Sequence, residues 1–208
     1  STVNAIANSY SGTTLYLNYS IVNSPYQALQ VQTVTSTQES VSVTIPKNTA
    51  DSNIGNFMTD FSTPSFIPSG IWDLNLFAIA DSITLSVYYT IYLRDGSGTE
   101  TLIGTSGNVE VPSSIIPTQI ILSIPLNYTV IPADNKIVVK LFAHNDDNSG
   151  SHTVTAYYQN GYYSHLHTTF GTIIPQETLT STVIGLGTAG YLSTIVWGSV
   201  VSTANLTN

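Results

Sequence analysis

The feature that most limits the fold of this chain is alternation at period two. Short runs of Val, Ile, Thr and Tyr recur along it, and most end at Pro, Gly, Asn or Asp. Such alternation buries one face and wets the other only in a β-strand. Thr13 to Ser20 alternates in this way, and Ser40 to Ile45 does so before stopping at Pro46. Ile54 to Phe61 is a third run. In Ile71 to Ile79, Leu74, Leu76 and Ala78 share one face, with Asp73 and Asn75 on the other. Ser82 to Arg94 is the longest run and ends at Asp95-Gly96-Ser97-Gly98; Glu100 to Gly104 follows as the return strand of a hairpin. Thr118 to Leu126, Lys136 to Ala143, His152 to Tyr158 and Tyr163 to Thr168 complete the series. Nine to eleven short strands with turn signals between them, and no helix before residue 175, predict an all-β fold. At this length the expectation is a jelly-roll β-sandwich over 1–172.

Charge narrows the function. Lys and Arg number 4 and Asp and Glu 12, for a net charge of −8. Charged residues are 8% of the chain, against roughly 25% in an average soluble domain. Four scattered cations make no basic patch, so no nucleic-acid partner is expected. The 42% hydrophobic content and 13 tyrosines supply a core and argue against disorder. The absence of cysteine excludes disulfide scaffolds, thiol catalysis and zinc ribbons. No run of eighteen apolar residues is present, so no membrane insertion is expected. The start, Ser1-Thr2-Val3-Asn4, is no signal peptide and lacks Met, which reads as a processed product or a piece of something longer.

Composition changes near Pro175. Glu177 is the last acid, and no Lys or Arg follows. Thr180 to Thr194 reads as one unit of a short-period repeat, with a partial second unit at Ser199 to Thr203. Residues 173–208 are therefore expected to form an extended C-terminal tail or the start of a stalk. Gly185-Leu186-Gly187-Thr188-Ala189-Gly190 matches the dinucleotide fingerprint in letters only. That motif works between a strand and a helix, with an acid about twenty residues on. Here neither helix nor acid follows. No cofactor is expected.

Candidate chemistry is sparse. His165 and His167 lie two apart on a strand, so their imidazoles share a face and are the candidate metal ligands. A threefold axis would bring six such rings together; the bland alternative is a hydrogen-bonded pair near a sheet end. His144 and His152 flank an acidic surface loop, Asn145 to Gly150. Its oxygens suit Ca²⁺ but lack the spaced carboxylates of an EF-hand, so a solvated turn is favoured. There is no Gly-x-Ser-x-Gly elbow, and most acids fall at turns; Asp73, beside Trp72, is the exception. Of the pairs Tyr88-Tyr89, Tyr157-Tyr158 and Tyr162-Tyr163, one ring each is expected in the core, with the other on a subunit interface or a sugar-stacking surface. Asn18, Asn127 and Asn205 head glycosylation sequons.

Several blocks carry a resemblance. Ser69-Gly70-Ile71-Trp72-Asp73-Leu74-Asn75-Leu76-Phe77-Ala78 is similar to a signature of giant DNA virus structural proteins and phage tail-fibre-like proteins. Tyr88 to Arg94 with Gly98 to Ile103, Asp134 to Ala143, Tyr163 to Thr169 and the repeat-like Ser181 to Thr194 resemble further blocks of the same sequences. The resemblance spans about 69–194 and is weaker at 13–62. It implies a virion-surface or fibre component with a jelly-roll head, of the TNF/C1q-like or viral kind, and it transfers no catalytic residue.

From this reading the chain is expected to be no enzyme. It is expected to be a structural protein at the virion surface or outside the cell, assembling with itself, a homotrimer favoured, and with other virion proteins. Its head would engage a host-surface glycan. The alternative is a secreted prokaryotic adhesin or carbohydrate-binding module.

Overall fold

The computed structural model describes residues 12–33, 37–171, 191–197 and 200–205. They contain sixteen strands and no helix. In chain order these are β1 (Thr14–Asn23), β2 (Tyr26–Gln30), β3 (Ser40–Ile45), β4 (Thr49–Thr59), β5 (Phe66–Ile67), β6 (Gly70–Ala80), β7 (Leu85–Arg94) and β8 (Glu100–Thr105). Then follow β9 (Val109–Glu110), β10 (Thr118–Leu126), β11 (Thr129–Val130), β12 (Lys136–Asn145), β13 (His152–Tyr157), β14 (His165–His167), β15 (Tyr191–Trp197) and β16 (Val200–Asn205). The chain divides into two compact units, Ser1–Ile174 and Pro175–Asn208.

The first unit is built on one twelve-stranded mixed sheet. Its path runs β3-β13-β6-β14-β1-β2-β4-β12-β7-β8, with β10 beside β6 and β9 beside β7. The pair β2–β4 is parallel, and the other ladders are antiparallel. Alternation decides which side chains face inward. In β10, Ile120, Leu122, Ile124 and Leu126 are buried while Ile121 is exposed. Pro125 is tolerated in β10 because that strand pairs on one side only, with β6.

The sheet curls until distant strands meet across one core. Leu74 and Trp72 of β6 lie in the same buried cluster as Tyr89 and Ile91 of β7 and Val139 and Leu141 of β12. Between β7 and β8, Asp95 holds the hairpin that the Asp-Gly pair announces. Its Oδ1 accepts from the N–H groups of Ser97 (2.9 Å) and Thr99 (2.8 Å), and Gly98 turns at φ +95°.

The expected strands are present, with more besides. The two-residue strands β5, β9 and β11 are too short to show a period, and β2 lies in a run without alternation. The second unit contains the antiparallel hairpin β15–β16, with Tyr191 opposite Asn205. The Gly185–Gly190 motif lies outside the described residues. Among the described residues no helix is long and apolar enough to cross a membrane.

Candidate functional site

The predicted histidine pair sits on β14, between β1 and β6. His165 is in register with Tyr16 and Asn75, and His167 with Thr14 and Asp73. Leu166 between them is fully buried, so both imidazoles point to the outer face, as alternation requires. The two ring centroids are 4.8 Å apart and nearly perpendicular. His165 Nδ1 lies 2.7 Å from the Tyr163 carbonyl. A carbonyl only accepts, so this nitrogen carries a proton, and in the neutral ring the lone pair then sits on Nε2. His167 Nδ1 lies 3.1 Å from Thr14 Oγ1. Asp73 shares this face, and one of its carboxylate oxygens accepts from the Ser123 hydroxyl. Among the described residues no group of three or more His, Cys, Asp or Glu is placed to hold a metal ion.

The other two histidines form ion pairs that local sequence reading missed. His152 is clamped between two carboxylates, with Nδ1 3.2 Å from Asp81 and Nε2 2.8 Å from Asp147. His144 contacts Asp146 through Nε2 (2.7 Å) and the Ala50 carbonyl through Nδ1 (3.0 Å). Each ring has an acceptor at both nitrogens, an arrangement that suits only the doubly protonated form. The Asp147 and Asp146 hydrogen bonds raise the pKa of His152 and His144 respectively. Rings held as imidazolium are poor general bases. Asp147 in turn is held well below the usual carboxylate range, chiefly by Ser149, then by His152.

Buried Asn145 organises this loop. Its Nδ2 reaches the carbonyls of Ile45, Pro46 and Gly150, and its Oδ1 accepts from the Asp147 N–H. The loop carboxylates are thus engaged with the protein itself. Asp81 also borders an open depression of about 600 Å³, lined by Ile79, Ser113, Ser114, Ile115 and Thr155 among others. The signal for this cluster was three acids and two histidines at loop ends, and only the fold brings Asp81 to His152.

A third cluster joins β2, β7, β8 and β12. Glu100 accepts from the Tyr26 hydroxyl and pairs with Lys140; Arg94 lies over the Tyr26 ring and Lys140 over the Tyr92 ring. Burial pushes the Glu100 carboxyl up, and Lys140, Tyr26 and Arg94 outweigh it, leaving the pKa lowered. This carboxylate is held ionised by its cations.

The remaining candidates scatter. Asn18 is buried, and its amide nitrogen donates to Gln30 and Gln32, so the atom a glycan would need is covered. Asn127 is exposed beside β10, and Asn205 ends β16. Tyr89 and Tyr158 are core rings, while their neighbours Tyr88 and Tyr157 face outward; Tyr162 and Tyr163 are both half-buried, so that pair places no ring in the core, contrary to expectation.

No family model and no curated relative matches the chain. Solved structures do. A CocE/NonD family hydrolase from Staphylococcus aureus superposes with a TM-score of 0.56 at 12% identity. An aminopeptidase from a marine sediment Thaumarchaeota archaeon gives 0.58 at 9%, and an α-amino acid ester hydrolase 0.56 at 12%. Each match covers 76% of this chain and 36% of the other. The chain therefore spans about a third of the length of these hydrolases, and at such identity the likeness is one of fold. A structure of infectious bursal disease virus reaches only 0.35, too low to carry an argument.

These neighbours correct the reading from sequence. The virion-surface, fibre or capsid protein, its adhesin or carbohydrate-module alternative, and the expectation of no enzyme are overturned, because the structural likeness runs to hydrolases. Low charge and abundant Ser and Thr describe an all-β surface, and they do not distinguish a fibre head from a β-domain of an enzyme.

Proposed function

We propose that this chain is the β-domain of a hydrolase acting on ester or amide bonds, with the attacking group supplied from outside these 208 residues, on the same or another polypeptide. The observation that carries the reading is the repeated superposition of three-quarters of this chain on about a third of three hydrolases. The chemistry of the described residues agrees. His144 and His152 are held protonated between acceptors and serve the loop, not base catalysis. Thr14 and His167 stand at a nucleophile–base distance, 3.1 Å. Yet Asp73, next to them in register, directs a carboxylate oxygen to Ser123, and no carboxylate orients the His167 ring among the described residues. The curled sheet, closed across one core, is read here as a jelly-roll sandwich whose role is to brace and wall a catalytic centre.

The test compares two preparations on an aminoacyl aryl ester and an aminoacyl p-nitroanilide. One is the native product isolated with an antibody to this chain; the other is the recombinant chain. Turnover by the native product with none by the recombinant chain supports the proposal. A native product inactive on both substrates, or a recombinant chain equally active, overturns it.

A further inference from the structure

The outer face around β14 carries a feature that does not depend on the hydrolase reading. Two imidazoles on one strand face are pinned from behind. The Tyr163 carbonyl accepts a hydrogen bond from Nδ1 of His165, and the Thr14 hydroxyl contacts Nδ1 of His167. In both rings Nδ1 is the engaged nitrogen, and no protein hydrogen bond reaches Nε2 among the described residues. This is the backing that metal-ligating histidines use, in which one ring nitrogen is held by an oxygen and the other keeps its lone pair. Buried Leu166 anchors the strand between them.

The spacing agrees. An ion about 2.0–2.1 Å from one nitrogen of each ring, at a right-angled to tetrahedral bite, sets the ring centroids about 4.5–5.2 Å apart. The observed separation is 4.8 Å. We infer that His165 and His167 form a two-histidine chelate for a late divalent transition ion, Zn²⁺ or Cu²⁺. Imidazole is a preferred ligand for both metals. No third His or acid completes the set among the described residues, so the other positions are left to water or to an incoming ligand. His167 is exposed, which gives the ion an open approach. Thr14 is a positioning residue in this site.

The experiment uses the full chain without a histidine tag. Zn²⁺ is titrated by calorimetry, and Cu²⁺ is followed by electron paramagnetic resonance. One ion per chain is expected, with Cu²⁺ showing coupling to two imidazole nitrogens. H165Q and H167Q should each weaken binding at least tenfold, and T14V by about tenfold. H144Q and H152Q should bind as the wild type does. Circular dichroism confirms that each variant is folded. Binding unchanged in both H165Q and H167Q, or a wild type binding no more tightly than the H165Q/H167Q double variant, overturns the site.

Discussion

The Tyr89 hydroxyl on β7 donates a 2.7 Å hydrogen bond to the backbone carbonyl of Trp72 on β6. In the ladder these strands are separated by β14, β1, β2, β4 and β12, so the bond spans the core and ties the two halves of the curled sheet. Both side chains are fully buried, and burial pushes the Tyr89 hydroxyl pKa far up, which keeps it a donor. Y89F should lower unfolding stability by about 1 kcal/mol. Urea denaturation checks this as a lower midpoint with an unchanged slope.

Tyr158 gives the opposite sign. Its ring packs on Tyr19 and Phe57, but its buried hydroxyl has no hydrogen-bond partner among the described residues. Removing an unpaired buried polar group relieves its desolvation cost. Y158F should therefore raise stability by about 1 kcal/mol, read in the same denaturation experiment.

Asn145 is the third core position. N145A strips the carbonyls of Ile45, Pro46 and Gly150 of one shared amide donor. A loss of about 2–3 kcal/mol is expected, with the loop after β12 becoming the first site of limited proteolysis.

Gly104 in β8 lies over β10. A Cβ placed there would come within 2.7 Å of Ile124 and Leu126 side-chain carbons. G104V should destabilise by about 1–3 kcal/mol through overpacking, and a lower melting temperature would register it.

The carboxylate clamp makes loop stability depend on pH. His152 has a raised folded pKa, so its contribution is complete below its unfolded pKa and is lost as pH rises through the folded one. Asp147 has a depressed folded pKa, so its contribution is complete above its unfolded pKa and is lost as pH falls through the folded one. Both are complete between about pH 4 and 6.5, the ordinary values of the two groups. The melting-temperature gap between wild type and H152Q should be widest in that window and shrink with added salt, since both half-buried groups still reach solvent.

The strands were legible because alternation is a local property. β10 and β12 can be read directly from Thr118 to Leu126 and from Lys136 to Ala143. The shared face of His165 and His167 was legible for the same reason. Asp81 meeting His152, the parallel pairing of β2 with β4, and Tyr89 reaching Trp72 were not, because each depends on how the sheet curls. Function was the least legible. The blocks around Trp72 and His165 read as a fibre head, yet they are β-strand sequence that an enzyme's β-domain uses equally well.

On the proposed reading this domain serves a hydrolytic centre whose attacking group lies elsewhere. The most direct measurement is to quench the native product with acid during turnover of an aminoacyl aryl ester and map the acylated residue by mass spectrometry. The acyl group is expected on a residue outside this 208-residue chain. Acylation of Thr14 or of any other residue within the chain, or a native product that does not turn the ester over, would contradict it.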